Sequence, residues 1–197
     1  MTTPNSDLIG VTNGANPLLT VVPTFSVKSI QQSTPVSGAP ANTMTVKLNA
    51  NCNLEEGSTV AITVLTGAVA TGTITLSRTD AAKISVSSTT LRGGWTTDTL
   101  TLTVHAGLTL AAASPYTFTF PVHNPSITQS SPVMSVSANV YSGGSSMGLI
   151  AVAEMTKPGT SLYGVQYGYA PLLVAVPTFS VMTIQQSTPV SLSLIHI

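Results

Sequence analysis

The sequence predicts an all-β protein, an antiparallel β-sandwich of eight or nine short strands. Three observations predict it. Apolar residues recur at every second position through most of the 197 residues, the period of a strand with one buried face. Glycine, proline, asparagine and acidic clusters punctuate these runs at short intervals, as turns between strands do. Charged residues make up only 6% of the chain, so its polar surface is built largely from 31 Thr and 24 Ser. Threonine suits the outer face of a pleated sheet because its β-branched side chain fits a half-exposed surface.

The elements follow in order. Val21, Pro23, Phe25 and Val27 alternate with Val22, Thr24 and Ser26. Met44, Val46 and Leu48 alternate with Thr43, Thr45 and Lys47, and Val60, Ile62 and Val64 follow after the turn at Glu55, Glu56 and Gly57. Ile74 with Leu76, and Ile84 with Val86, are read as two strands separated by a turn at Arg78, Thr79 and Asp80. Arg92, Gly93 and Gly94 read as a turn. Leu100, Leu102 and Val104 alternate with threonines, then Tyr116, Phe118, Phe120 and Val122 do so. Met134, Val136, Ala138 and Val140 close a hairpin with Leu149, Ala151 and Ala153 across Gly143 and Gly144. Each apolar set faces one way, because neighbouring side chains on a strand point to opposite faces. Half-polar strands of this kind bury their apolar faces by packing two sheets together.

The chain also repeats itself. Residues 17–37 recur at 171–191 with 17 identities in 21 positions, at an offset of 154. Upstream, Leu8, Gly10, Val11 and Gly14 match Leu162, Gly164, Val165 and Gly168 at the same offset, and Met1 matches Met155. The expected organisation is a tail of a preceding repeat at 1–16, a sandwich domain at 17–155, an inter-repeat connection at 156–170, and the truncated start of the next repeat at 171–191. The last six residues, 192–197, resemble a translated sequencing adapter; they are set aside, His196 with them. The chain is thus expected to be a fragment of a tandem-repeat protein, with 171–191 either disordered or borrowing a sheet edge.

Composition excludes several function classes. Six basic and six acidic residues give a net charge of +0, and scattered single charges offer no patch for phosphates, so no nucleic-acid partner is expected. No apolar run is long enough to span a bilayer as a helix. A single cysteine, Cys52, forbids an internal disulfide and reads as a partly buried thiol at a strand end. His105 lies on a polar strand face and His123 at a strand exit; with dispersed acids they supply no zinc spacing. Glu55 and Glu56 share a turn and point apart, Asp80 is placed to cap its own turn, and no facing carboxylate pair is visible. The 156–170 connection holds no acid to bridge repeats through calcium. Neither a catalytic set nor a cofactor or metal site is expected.

Aromatic residues give the one ligand-binding possibility. Trp95 sits beside flexible glycines, with Arg92 and Asp98 near in sequence as hydrogen-bonding partners for a sugar stacked on the indole. The competing expectation is that Trp95 plugs one end of the sandwich and that Tyr163, Tyr167 and Tyr169 pack the junction. The strand strings from Asn42 to Leu48, Gly57 to Gly67, Thr99 to Val104 and Tyr116 to Phe120 resemble immunoglobulin-like sandwich repeats of large bacterial, algal or protist surface proteins, over about residues 17–155. That resemblance implies an extracellular or cell-surface structural or adhesive module, with neighbouring repeats as partners and cell-surface glycans or matrix proteins beyond them. The alternative is a carbohydrate-binding module that uses Trp95.

Overall fold

A computed structural model of the chain describes residues 6–70, 72–84 and 92–187. Their nine strands are β1 (Phe25–Gln32), β2 (Asn42–Ala50), β3 (Thr59–Thr63), β4 (Thr73–Thr75), β5 (Arg92–Thr96), β6 (Thr99–Thr103), β7 (Tyr116–Val122), β8 (Ser135–Ser142) and β9 (Ser145–Glu154). They form two antiparallel sheets, one ordered β1-β2-β7 and the other β4-β5-β6-β3-β8-β9. The architecture is the expected all-β sandwich.

Alternation builds the core between the sheets. Met44, Val46 and Leu48 of β2 and Phe118, Phe120 and Val122 of β7 point inward from the smaller sheet. Val60 and Ile62 of β3, Leu100 and Leu102 of β6, and Val136 and Val140 of β8 meet them from the larger one. Their threonine and serine neighbours remain partly exposed, except Thr119 of β7, which is buried. The chain joins the layers beyond β4, where Ser77 and Thr119 of β7 exchange backbone hydrogen bonds of 2.9 and 3.1 Å. A strand that leaves one sheet for the edge of the other closes the side of a sandwich.

Several local expectations change. β1 starts at Phe25, and Val21–Thr24 carry no strand. A register shift between Phe25 and Val27 then moves the buried set to Ile30 and Gln32, because one extra residue in a bulge reverses which side chains face inward. Residues 92–94 are the beginning of β5 rather than a turn: a Cβ at Gly93 would lie 2.5 Å from Leu100 Cδ1. That glycine serves close packing. Thr79–Lys83 form a short 3-10 helix, and Asp80 reaches out of it to accept the Thr117 backbone N–H at 2.8 Å instead of capping its own turn. The strand expected through Ile84 and Val86 falls partly on residues 85–91, outside the described residues; Ile84 itself ends the 3-10 helix. Thr71, Met1, residues 188–191 and the adapter-like 192–197 also lie outside them.

Candidate functional site

The residues singled out as ligand-binding do not form a stacking platform. Trp95 is 6% exposed, opposite Leu100 in the β5–β6 hairpin, with its indole in the core and Nε1 buried. Trp95 is therefore a buried ring rather than an exposed one. Arg92 begins β5 and donates to Thr73 Oγ1 at 2.9 Å. Asp98 lies past the other end of β5, where its carboxylate accepts the Thr66 and Thr99 hydroxyls at 3.4 Å each. A five-residue strand spans about 13 Å between its end residues, so Arg92 and Asp98 flank opposite ends of it. The exposed aromatic rings among the described residues are instead Tyr163 and Tyr167, at 75% and 51%, and Phe179.

The other chemical candidates have structural duties. Glu55 accepts the Ser142 hydroxyl at 2.7 Å and Glu56 the Gly107 N–H at 2.9 Å; two adjacent acids thus tie down two different loops. His105 contacts the Ala106 carbonyl at 3.1 Å, and His123 is exposed, its backbone bridged to Val69. Cys52 is buried just beyond β2, and loss of hydration pushes its thiol pKa upward, the condition of an inert thiol. Among the described residues no three His, Cys, Asp or Glu side chains converge as a metal site would, and no helix is long and apolar enough to cross a membrane.

What stands out is a buried polar cluster at the end of β1, built from residues that alternation alone would leave as ordinary strand polars. Asn42, the first residue of β2, donates through Nδ2 to Gln32 Oε1 at 2.9 Å and to Asn124 Oδ1 at 2.7 Å. Its Oδ1 accepts the Ser33 and Thr34 backbone N–H groups. Asn124 Nδ2 donates to the carbonyls of Thr34 and Val36. Gln32 Nε2 donates to the carbonyls of Gly168 and Leu173, both at 2.8 Å, while its Oε1 also accepts the Leu172 N–H at 2.9 Å. All four hydrogen-bonding positions of the Gln32 amide are filled. A fully satisfied buried network of this kind fixes one arrangement, since any missing partner leaves a costly orphan.

The segment that Gln32 holds closes this end of the sandwich. Leu172 is 0% exposed, with Ala170 and Val174 buried beside it. On the side of the larger sheet, Gln129 exchanges backbone hydrogen bonds with Val174 at 3.0 and 2.8 Å and donates from its side chain to the Leu172 carbonyl at 3.1 Å. The Ser131 hydroxyl donates to the Pro171 carbonyl at 2.8 Å. On the side of the smaller sheet, the Ala175 N–H meets the Pro35 carbonyl at 2.8 Å and the Gln32 N–H meets the Tyr169 carbonyl at 3.1 Å. Residues 168–175 therefore pin the two layers together. Almost every one of these bonds reads main chain, with Leu172 as the single large side chain inserted.

The loop leading into this plug has a twin at the other end of the molecule. Leu162 and Val165 form a two-residue bridge, as do Leu8 and Val11. Tyr163, Tyr167 and Leu172 have φ of 51°, 58° and 54°; Ile9, Asn13 and Leu18 have 52°, 56° and 63°. The Gly168 N–H bonds the Val165 carbonyl and the Gly14 N–H the Val11 carbonyl, each at 3.0 Å. A Cβ on Gly168 would lie 2.8 Å from Leu162 Cβ, and one on Gly14 3.0 Å from Leu8 Cβ, so both turns require glycine. The twin loop is seated differently. Its Ile9 carbonyl accepts the Asn53 N–H at 2.8 Å, Gly10 packs against Asn53 and Ala112, and Leu18 is 100% exposed.

After residue 175 the chain forms no strand through 187, and Phe179, Val181 and Ile184 are exposed although their sequence matches β1. No protein-family model matches the chain, and comparison with curated proteins finds no match.

Proposed function

We propose that the chain is a structural or adhesive module of a repetitive extracellular or cell-surface protein, working by assembly rather than catalysis. The observation that carries this reading is the recurrence of residues 17–37 at 171–191, each copy preceded by a loop of the same conformation. A loop duplicated in sequence and in backbone shape is what an array of immunoglobulin-like sandwiches needs at each junction. Its immediate partners are neighbouring copies, and its low charge lets such copies lie close together. Glutamates committed to loop ties and histidines at strand exits support a structural role.

A second reading is favoured by one observation. Tyr163 and Tyr167 are exposed on a single loop, and exposed rings stack on sugars, so a carbohydrate-binding module would use these tyrosines in place of the buried Trp95. Recovery of the complete coding sequence decides between the two. Further copies at a spacing of 154 residues behind a secretory leader support the array. A linked hydrolase domain with no further copies supports the carbohydrate-binding module, and an uninterrupted cytosolic reading frame removes both.

A further inference from the structure

The two twin loops lie at opposite ends of the sandwich. Asn53 follows the end of β2, two residues after Asn51, which bonds Thr24 just ahead of β1. Gln32 is the last residue of β1, paired with Met44 near the start of β2. Eight residues of strand separate these poles, about 26 Å. One loop covers the Gln32 pole and buries its leucine; the other sits on the Asn53 pole and leaves its leucine in solvent.

We propose that residues 6–19 are the closing plug for a second copy of this sandwich. Leu18 enters the Gln32 pole of the neighbouring copy as Leu172 does here, while Ile9 and Gly10 stay seated on Asn53 of their own domain. One loop then contacts two domains at once, and successive copies are joined end to end by a fixed joint instead of a flexible linker. The proposal deepens the array reading of the preceding subsection and rests on it.

Three observations point to a second copy as the occupant. The pole is already filled in this chain by residues 168–175, which share glycine, proline and both leucines with residues 14–21, so its fit to that backbone is on display. The groups that its side chains grip are the carbonyls of Gly168, Pro171, Leu172 and Leu173 and the N–H of Leu172, whose counterparts Gly14, Pro17, Leu18 and Leu19 are the same residue types; the bonds to Tyr169, Val174 and Ala175 are main chain to main chain, so Ala15, Thr20 and Val21 offer the same groups. Those counterparts adopt the same backbone conformation before any partner is present, so docking costs little ordering entropy. Two differences fall on buried positions: Thr20 has the shape of Val174 but adds a hydroxyl that needs a partner, and Asn16, larger than Ala170, brings an Oδ1 that is buried without a partner among the described residues.

The contacts run from one pole to the other, so the interface is heterologous and open-ended. It also gives Tyr163 and Tyr167 a role. Their counterparts Ile9 and Asn13 belong to the loop seated beside Asn53, so in an array both tyrosines lie against the next domain.

The test uses full-length variants. Leu172→Asp expels the native plug and opens the pole to Leu18 of another molecule, so sedimentation should show concentration-dependent head-to-tail association absent from the double variant Leu18→Asp/Leu172→Asp. A folded Leu172→Asp chain that stays monomeric, or a double variant that associates equally, overturns the proposal. Since Leu172→Asp can also compromise folding, an exchange variant is read alongside it: residues 161–175 replaced by the sequence of residues 7–21. Its thermal midpoint should fall within about 5 °C of the parent, against a loss of about 10 °C or more for Leu172→Asp. An exchange variant as unstable as Leu172→Asp shows that the front loop does not fit the pole. The array itself is decided separately by the coding sequence, so a failed joint and a failed array give different results.

Discussion

Leu18 and Leu172 hold equivalent positions in two loops of the same backbone shape, yet one is wholly exposed and the other wholly buried. The difference lies in what surrounds them. Leu172 is enclosed by a pole where Gln32, Gln129 and Ser131 bind the chain on either side of it; Leu18 faces solvent. Leu172→Ala should therefore cost about 2–5 kcal/mol, the usual range for truncating a buried leucine. Leu18→Ala in the same chain should change stability by less than about 0.5 kcal/mol. Urea unfolding of the two variants measures both.

Gln32→Leu keeps the side-chain bulk and removes four hydrogen bonds. The Asn42 amide, the Leu172 N–H and the carbonyls of Gly168 and Leu173 all lose their buried partner. Each such orphan costs about 1–3 kcal/mol where water cannot reach it. The expected loss is about 3 kcal/mol or more, exceeding that of Ser131→Ala, which removes one bond to Pro171. Equal losses in the two variants would contradict the central place given to Gln32.

These residues show what alternation reveals and what it hides. β2, β6, β7 and β8 are legible because inward Val, Leu, Met and Phe alternate with Ser and Thr that, buried Thr119 apart, reach the surface. β1 is legible only in part, since the bulge after Phe25 reverses the pattern. β5 is hidden because Gly93, placed by contact with Leu100, looks like a turn residue. The Gln32–Asn42–Asn124 cluster is hidden for a deeper reason. A polar side chain carries no mark of burial until its partners are known, and those of Gln32 include main-chain atoms more than a hundred residues away. The one available signal is the recurrence of the Ile-Gln-Gln-Ser-Thr-Pro string, which marks the segment without saying what it holds. At Trp95 the preceding glycines leave an exposed ring and a packed one both open in the sequence; Gly93 makes room for Leu100, and the ring is buried.

Trp95→Ala should destabilise the fold by about 3–5 kcal/mol, as loss of a large core side chain does. Trp95→Phe should cost less than half as much, because among the described residues the indole Nε1 has no hydrogen-bond partner to lose and most of the apolar volume is retained. Chemical denaturation of the pair checks this. A full-length Trp95→Ala chain of unchanged stability would place the ring outside the core.

Cys52 should react slowly with an aromatic disulfide reagent in the native chain and rapidly after unfolding. Burial raises its pKa in the folded state, so the unfolded chain loses the thiol proton first as pH rises. Cys52 therefore contributes full stability below the unfolded thiol value of about 8.5, and that contribution declines above it. Cys52→Ala should flatten this alkaline decline when urea midpoints are compared between pH 7 and pH 10.

Hydrogen–deuterium exchange on the full-length chain, followed in peptides covering 14–21 and 168–175, tests the difference between the poles most directly. Slow exchange is expected at Leu172, Val174 and Ala175, whose N–H groups bond to Gln32, Gln129 and Pro35, and fast exchange at Leu18, Thr20 and Val21. Exchange in 168–175 as fast as in 14–21 would mean that the Gln32 pole does not hold its plug.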